Sequence, residues 1–429
     1  MIGGVHGLTD ASGENAGCPC LPEGLIPVEH WKAPETSVRR SLKDTFHHVL
    51  EQIRAGVSQE EQPFESLGDL PELSSSRLQA LAPQPDFLAM ARTLADCLSA
   101  ASTNGAACRD VSFVVAPPFS GIRQALERFP DLIPEPGSAS GSWSLIVPPD
   151  NLLVDEEGAR EWWDRQDLSG PWVIPELADF WLRHLSGLAL IRELLRRVAT
   201  GTTGPGIVGC SSWCWQFWCS YLPDVHVAPL TPVPMDADHL GTWFQGLAMA
   251  GSRHPVVARM VDNGLYVLPV SDTENAKRRK YSGFLKDLAS AARGNPGVAL
   301  AIWQRSLRAR SEEEAAEGEP GQVLADEAGV APMWVVPFDQ LGLPAVPQIP
   351  GDSVGQVLHA LLLHDDLDTE SLGLVTGIDE HDLNFVLSRL ARSELIDQQV
   401  SGPRWHITAA GYPSVRRHLQ SWGFPVDTF

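Results

Sequence analysis

Between Val111 and Cys210 short apolar runs alternate with helix-like stretches, and this alternation constrains the fold more than any other feature. The runs are VSFVVA, WSLIVP, PWVIPE and GIVGC, and the stretches between them include GIRQALERF and ADFWLRHLSGLALIRELLRRV. Strands that take turns with helices build parallel sheets, because a parallel connection needs a crossover long enough to return the chain to the same edge. The expected fold class is therefore α/β with a mostly parallel sheet. At 429 residues the chain exceeds one typical core, so further domains should flank it.

The flanks divide by texture. Residues 1–40 are rich in Gly, Pro and polar side chains and are expected to be largely disordered. Residues 41–105 read as an N-terminal helical segment, with Leu42, Phe46, Leu50 and Ile53 on one helical face. In that helix the adjacent His47 and His48 read as surface residues. The α/β core spans 106–235, and a helical lid follows at 236–310. An acidic and Pro-rich linker, 311–352, carries one strand at 333–338. Residues 353–429 give a helix, a second helix ended by Gly377, a third capped by Asp379, a hairpin (LIDQQV and RWHIT) and a closing helix. Helix, helix, helix, hairpin is the winged form of the helix-turn-helix.

A phosphate-binding loop needs a strand, then G-x-x-x-x-G-K-[ST], then a helix. Backbone N–H groups cradle the phosphates, the Lys meets the β and γ oxygens, and the hydroxyl holds Mg²⁺. Ala116-Pro-Pro-Phe-Ser-Gly121-Ile122-Arg123 stands in that slot. Gly121 keeps the second glycine, while Ala116, Ile122 and Arg123 replace the first glycine, the Lys and the hydroxyl. Trp172-Val-Ile-Pro-Glu176 resembles the strand that ends in an acidic metal-positioning pair, with Pro175 in place of the Asp. Gly206-Ile-Val-Gly-Cys-Ser-Ser212 resembles the next strand, with Ser211 or Ser212 at the polar sensor position. Arg293-Gly-Asn-Pro-Gly-Val-Ala-Leu300 resembles the Gly-x-Pro turn of a helical lid.

In this order the parts resemble an AAA+/STAND-type P-loop ATPase with a C-terminal winged helix, in a degenerate version. The resemblance runs from about 111 to 429. It implies a P-loop NTPase-like parallel sheet core, a helical lid and a C-terminal winged-helix domain. It also implies that ATP or ADP, if bound, would meet Ser120, Gly121, Arg123, Ser211, Asn295 and Pro296, and that Glu176 stands in the catalytic glutamate's place. The departures imply more. Losing the Lys, the metal hydroxyl and the Walker B Asp together removes the main electrostatic support for a triphosphate and its metal. The expectation is a pseudo-ATPase, with no resident cofactor and no metal, acting through protein contacts. A nucleotide-binding switch and a DNA-binding regulator are the alternatives. Glu176 also reads as a plain helix-start residue, well placed on the helix dipole.

Charge weighs against DNA. Acidic side chains outnumber basic ones 54 to 32, a formal net charge of −22, which disfavours non-specific attraction to nucleic acid. From Ser353 onward there are ten acids against five bases. The third helix there opens with Asp379, Glu380 and Asp382, where a DNA-reading helix presents its N-terminal residues to the bases. No stretch reaches the roughly 20 apolar residues of a membrane helix, and no export signal is visible, so a cytoplasmic location is expected. Seven cysteines without regular spacing do not read as a disulfide framework. Cys18 and Cys20 read as part of a loose tail, and Cys210, Cys214 and Cys219 as buried small hydrophobes. Trp213 to Trp218, Trp162, Trp163 and His184 read as packing residues, and Lys277 to Lys280 as a solvated basic loop.

Overall fold

The computed structural model describes residues 18–34, 70–103, 111–132, 142–222, 227–252, 256–269, 280–309, 331–398 and 402–429. The expected helix around Leu42 to Ile53, the acidic run at 311–322 and Lys277 to Arg279 lie outside these residues.

A six-stranded sheet organises the core, in the order β1-β6-β2-β5-β4-β3. Its strands are β1 (Leu25–Pro27), β2 (Val111–Ala116), β3 (Ser144–Leu145), β4 (Trp172–Ile174), β5 (Gly206–Ser211) and β6 (Leu230–Pro232). Strands β2 to β6 are mutually parallel, with Val111 to Ala116 registered against Gly206 to Ser211. β1 adds antiparallel to β6 at the edge. The order is that of a P-loop NTPase-like core: β5 is inserted between β2 and β4, so crossovers pass on both faces. β2, β4 and β5 are buried almost throughout, as near-continuous apolar runs in a doubly covered parallel sheet should be.

Before the sheet come α1 (Ser75–Leu81) and α2 (Phe87–Thr103). The crossovers are α3 (Ile122–Glu127), α4 (Glu156–Asp164), α5 (Ala189–Thr200) and α6 (Ser212–Tyr221). One face of the sheet packs Val114, Ile122 and Leu126 with α2 and the lid. The other packs Val208, Cys210 and Ile174 against Trp163, Trp181 and Trp218. Trp163, Trp172, Trp181 and Trp303 are wholly buried, and truncating such a side chain costs about 3–5 kcal/mol. The Trp-rich run packs as expected, with Trp213 and Trp218 buried and Phe217 stacked on Trp181. His184 does not pack. It is exposed, and its Nδ1 accepts from the Ser186 N–H in a turn.

The lid holds α7 (Ala237–Ala250), α8 (Phe284–Ala291) and α9 (Pro296–Ser306). It is not purely helical. β7 (Val256–Met260), β8 (Leu307–Arg308) and β9 (Ala331–Val335) form a three-stranded sheet in the order β7-β9-β8. β9 falls in the stretch expected to be a linker, but its partners lie in the lid, so that stretch is part of the lid's fold.

The leader also departs from expectation over residues 18–34. Cys18, Cys20 and Leu21 are buried, the Cys18 N–H donates to Thr93 Oγ1, and β1 pairs with the sheet edge. An open strand edge with unpaired N–H and C=O groups recruits such a segment despite its loop-like composition.

The C-terminal module consists of α10 (Ser353–His364), β10 (Asp366–Asp368), α11 (Thr369–Thr376), α12 (Glu380–Arg392), β11 (Ile396–Gln398), β12 (Arg404–Ile407) and α13 (Tyr412–Ser421). The expected helices and hairpin are present, and β10 joins the hairpin as a third strand, in the order β10-β12-β11. Gly377 ends α11 in the left-handed conformation, φ 71°, and Asp379 caps α12 by accepting from the His381 and Asp382 N–H groups. α10 is buried along nearly its whole length and packs against α6. The module therefore sits on the core. No helix among the described residues is long and apolar enough to cross a membrane.

Candidate functional site

The loop between β2 and α3 is left-handed at two positions either side of Ser120, Phe119 with φ 69° and Gly121 with φ 86°. Gly121 tolerates this without strain. The Ser120 N–H donates to the Pro117 carbonyl, and Ser120 Oγ accepts from the Ile122 N–H at 3.4 Å. Ile122 turns into the core beside Ala125 and Leu126.

Arg123 points the other way and gathers carboxylates. Its Nη1 lies 2.6 Å from Asp365 Oδ2 and 3.3 Å from Asp179 Oδ1, and its Nη2 lies 3.0 Å from Asp179 Oδ2. Nε reaches Glu127 at 3.4 Å. The fork to Asp179 is bidentate, the geometry for which guanidinium is suited. Burial opposes the charge on Arg123, yet Asp365, Asp179 and Glu176 together overrule it and raise its pKa. Asp179 is pushed up to about 7, chiefly by loss of water, with Arg123 pulling it back. Asp365 belongs to the C-terminal module, at the end of α10. Arg123 thus joins the core to that module.

Glu176 is buried at the end of β4. Its Oε1 accepts from the Ala178 N–H at 3.0 Å and from the Ser211 N–H at 2.9 Å. It caps the 3-10 turn Leu177–Phe180 and ties β4 to β5, which is the helix-start role. Desolvation and the nearby Asp365 charge push its carboxyl up to about 8. Ser211 Oγ in turn caps α6 by accepting from the Cys214 N–H.

Across from the loop, Asn295 is buried and fully used. Its Oδ1 accepts from the Gly297 and Val298 N–H groups, and its Nδ2 donates to the Pro118 carbonyl at 2.5 Å. Pro296 opens α9. Gly297 is needed for closeness: a Cβ there would lie 2.1 Å from the Phe119 carbonyl oxygen. The lid turn is bolted to the loop through backbone contact.

Between these walls lies a cleft of about 540 Å³, lined by Ser120, Gly121, Arg123, Glu176, Ser211 and Pro296, with Asp365 and His406 closing it from the module. Cavities of this size class hold small ligands. Of the residues expected near a nucleotide, all but Asn295 face this cleft, and Asn295 sits beneath it holding the loop. Asp179 and Asp365 went unnoticed in the sequence. Asp179 and Asp365 lie 56 and 242 residues from Arg123, and no local pattern marks either.

Further contacts weld the module to the core. Trp181 packs on His364, with ring centroids 4.5 Å apart, and Trp213 Nε1 donates to Tyr412 Oη at 3.1 Å. The Arg183 N–H donates to His364 Nε2, and Asp427 accepts from both Arg416 and Ser212. Burial lowers the His364 pKa to about 3 and that of His359 to about 4, so both rings are neutral at physiological pH.

No protein-family model and no curated protein matches the chain. Among solved structures, the ORC2 protein of Aeropyrum pernix, solved as ADPNP–ADP complexes, is similar at 11% identity with a TM-score of 0.27, covering 86% of this chain and 99% of that one. A superposition that loose transfers neither ligand nor activity.

Proposed function

We propose that the chain is a non-hydrolysing, AAA+/STAND-like pseudo-ATPase that serves as a regulatory or scaffolding protein, with its winged helix held against the core. One observation carries this reading: Arg123 stands where a Mg²⁺-binding hydroxyl would be, and its charge is spent on Asp179 and Asp365. An ion pair of this kind offers the triphosphate no free cation and supplies no ligand to a metal. Glu176, the other chemical candidate, has an oxygen engaged by two backbone N–H groups and is held towards its neutral form. Such a group is a poor base for activating water. The acidic start of α12, with Asp379, Glu380 and Asp382, favours a protein surface over DNA as the module's partner.

A second reading, a nucleotide-dependent switch, is favoured by the open cleft at Gly121. A phosphate-release assay on the full chain with Mg-ATP tests the first. The expected result is release indistinguishable from buffer, unchanged in Glu176→Gln. Release that depends on Mg²⁺ and disappears in Glu176→Gln overturns it.

A further inference from the structure

Two thiols and a carboxylate meet at the floor of the cleft. Cys210 lies at the end of β5, Cys214 in the first turn of α6, and Glu176 where β4 ends. A sulfur from each cysteine and an oxygen of Glu176 all lie within 4.8 Å of one another, and all three residues are buried. We propose that Glu176, Cys210 and Cys214 form a site for one thiophilic divalent cation, of which Zn²⁺ is the natural member, with its remaining coordination position facing the cleft.

The donor set fits that chemistry. Zn²⁺ takes thiolate sulfur at about 2.3 Å and carboxylate oxygen at about 2.0–2.2 Å, so the three donors, already gathered, would close slightly around one ion. Thiolates select it over Mg²⁺ or Ca²⁺, which prefer oxygen alone. Two buried cysteines by themselves are ordinary small hydrophobes. Three further observations set this pair apart.

First, Glu176 is already oriented. Its Oε1 accepts from the Ala178 and Ser211 N–H groups, which fixes the orientation of the carboxylate. Outer hydrogen bonds of this kind are what hold metal ligands in place. Second, the indole N–H of Trp181 is fully buried, and the acceptor it faces is the Cys214 sulfur. A metal-bound thiolate is a far better acceptor for it than a thiol. Third, Glu176 and Cys210 both line the cleft, which gives an ion a path in and an outward-facing position. The site is compatible with the absence of hydrolysis, because it lies below the loop rather than at the lost hydroxyl.

The test uses the full chain, stripped with chelator under reducing conditions and titrated with Co²⁺ and then Zn²⁺. One equivalent of Co²⁺ should bind with thiolate-to-cobalt charge-transfer absorption, and Zn²⁺ should displace it and raise the thermal midpoint. Cys214→Ser and Cys210→Ser should abolish the charge-transfer signal, and Glu176→Gln should keep it while weakening affinity about tenfold or more. The Cys18→Ser/Cys20→Ser double variant, which removes the other close thiol pair, should behave like the unmodified chain. Absence of the signal in the unmodified chain overturns the proposal. So does a signal that survives Cys214→Ser or vanishes in the Cys18/Cys20 variant. Should the Cys210 or Cys214 variants fail to fold, the Zn²⁺ shift decides on the unmodified and Cys18/Cys20 chains: no shift in either overturns the site.

Discussion

The two sides of the cleft are held in different ways. On the lid side Asn295, Pro296 and Gly297 form a packed turn, with every polar atom of the Asn295 side chain bonded. On the sheet side Ile122 packs into the core and Arg123 turns to Asp179 and Asp365. Residues that shape the chain are held by packing whatever the chemistry. Arg123, by contrast, serves an ion pair between core and module. Together the two sides make the cleft a joint.

The sharpest way to break that comparison is to separate lid from loop. Gly297→Ala sets a Cβ against the Phe119 carbonyl, a backbone atom that cannot swing aside. The expected loss is about 3 kcal/mol or more, the upper range for overpacking, read as a lower denaturant midpoint at unchanged slope. A neutral outcome would mean that the lid does not lie against the loop.

Removing the cation is the next largest effect. Arg123→Ala leaves Asp179 and Asp365 facing one another without a counter-charge, and should cost roughly 3 kcal/mol, the low end for a broken buried pair, since Arg123 keeps 25% side-chain exposure. In a double-mutant cycle with Asp365→Asn the two changes should be non-additive by about 1 kcal/mol or more. Additivity would place the pair outside any structural role.

A smaller effect contrasts core and module through pH. Glu176 and Asp179 are raised to about 8 and about 7, so the folded chain holds more protons than the unfolded one between their ordinary values and these. Stability from the core should therefore fall as pH rises across that window, by at most about 1.4 kcal/mol per pH unit for each group. His359 and His364 are lowered from 6.5 to about 4 and about 3, so the unfolded chain holds more protons there. Stability from the module should fall as pH drops below about 6.5. Chemical denaturation across pH should show the decline towards pH 8 flattened in Glu176→Gln, most clearly above pH 6.5 where the histidines no longer contribute. A slope between pH 6.5 and 8 identical in both proteins would contradict the burial of Glu176.

Local patterns made much of this legible. The alternation from Val111 gave the parallel strands, Gly377 and Asp379 marked the helix ends, and the Gly-Asn-Pro turn marked the lid. What escaped depends on partners distant in sequence. β10 is three residues, Asp366 to Asp368, stabilised by pairing with Arg404 to His406. β1 sits in a Gly- and Pro-rich leader and exists because β6 offers an edge. Arg123 was recognisable as a departure, but its acids come from a 3-10 turn and from the far module. The burial of Cys18 and Cys20 was likewise set by α2, not by their neighbours. Pairings across the fold leave no periodicity to read.

Small-angle scattering of the full chain with and without millimolar Mg-ATP tests the central claim most directly, because a ligand without differential affinity cannot shift a conformational equilibrium. The radius of gyration of the unmodified chain should be unchanged by Mg-ATP, and Arg123→Ala should expand it equally with or without nucleotide. Compaction or expansion of the unmodified chain on adding Mg-ATP, absent with Mg²⁺ alone, would contradict the joint and make the cleft a nucleotide switch.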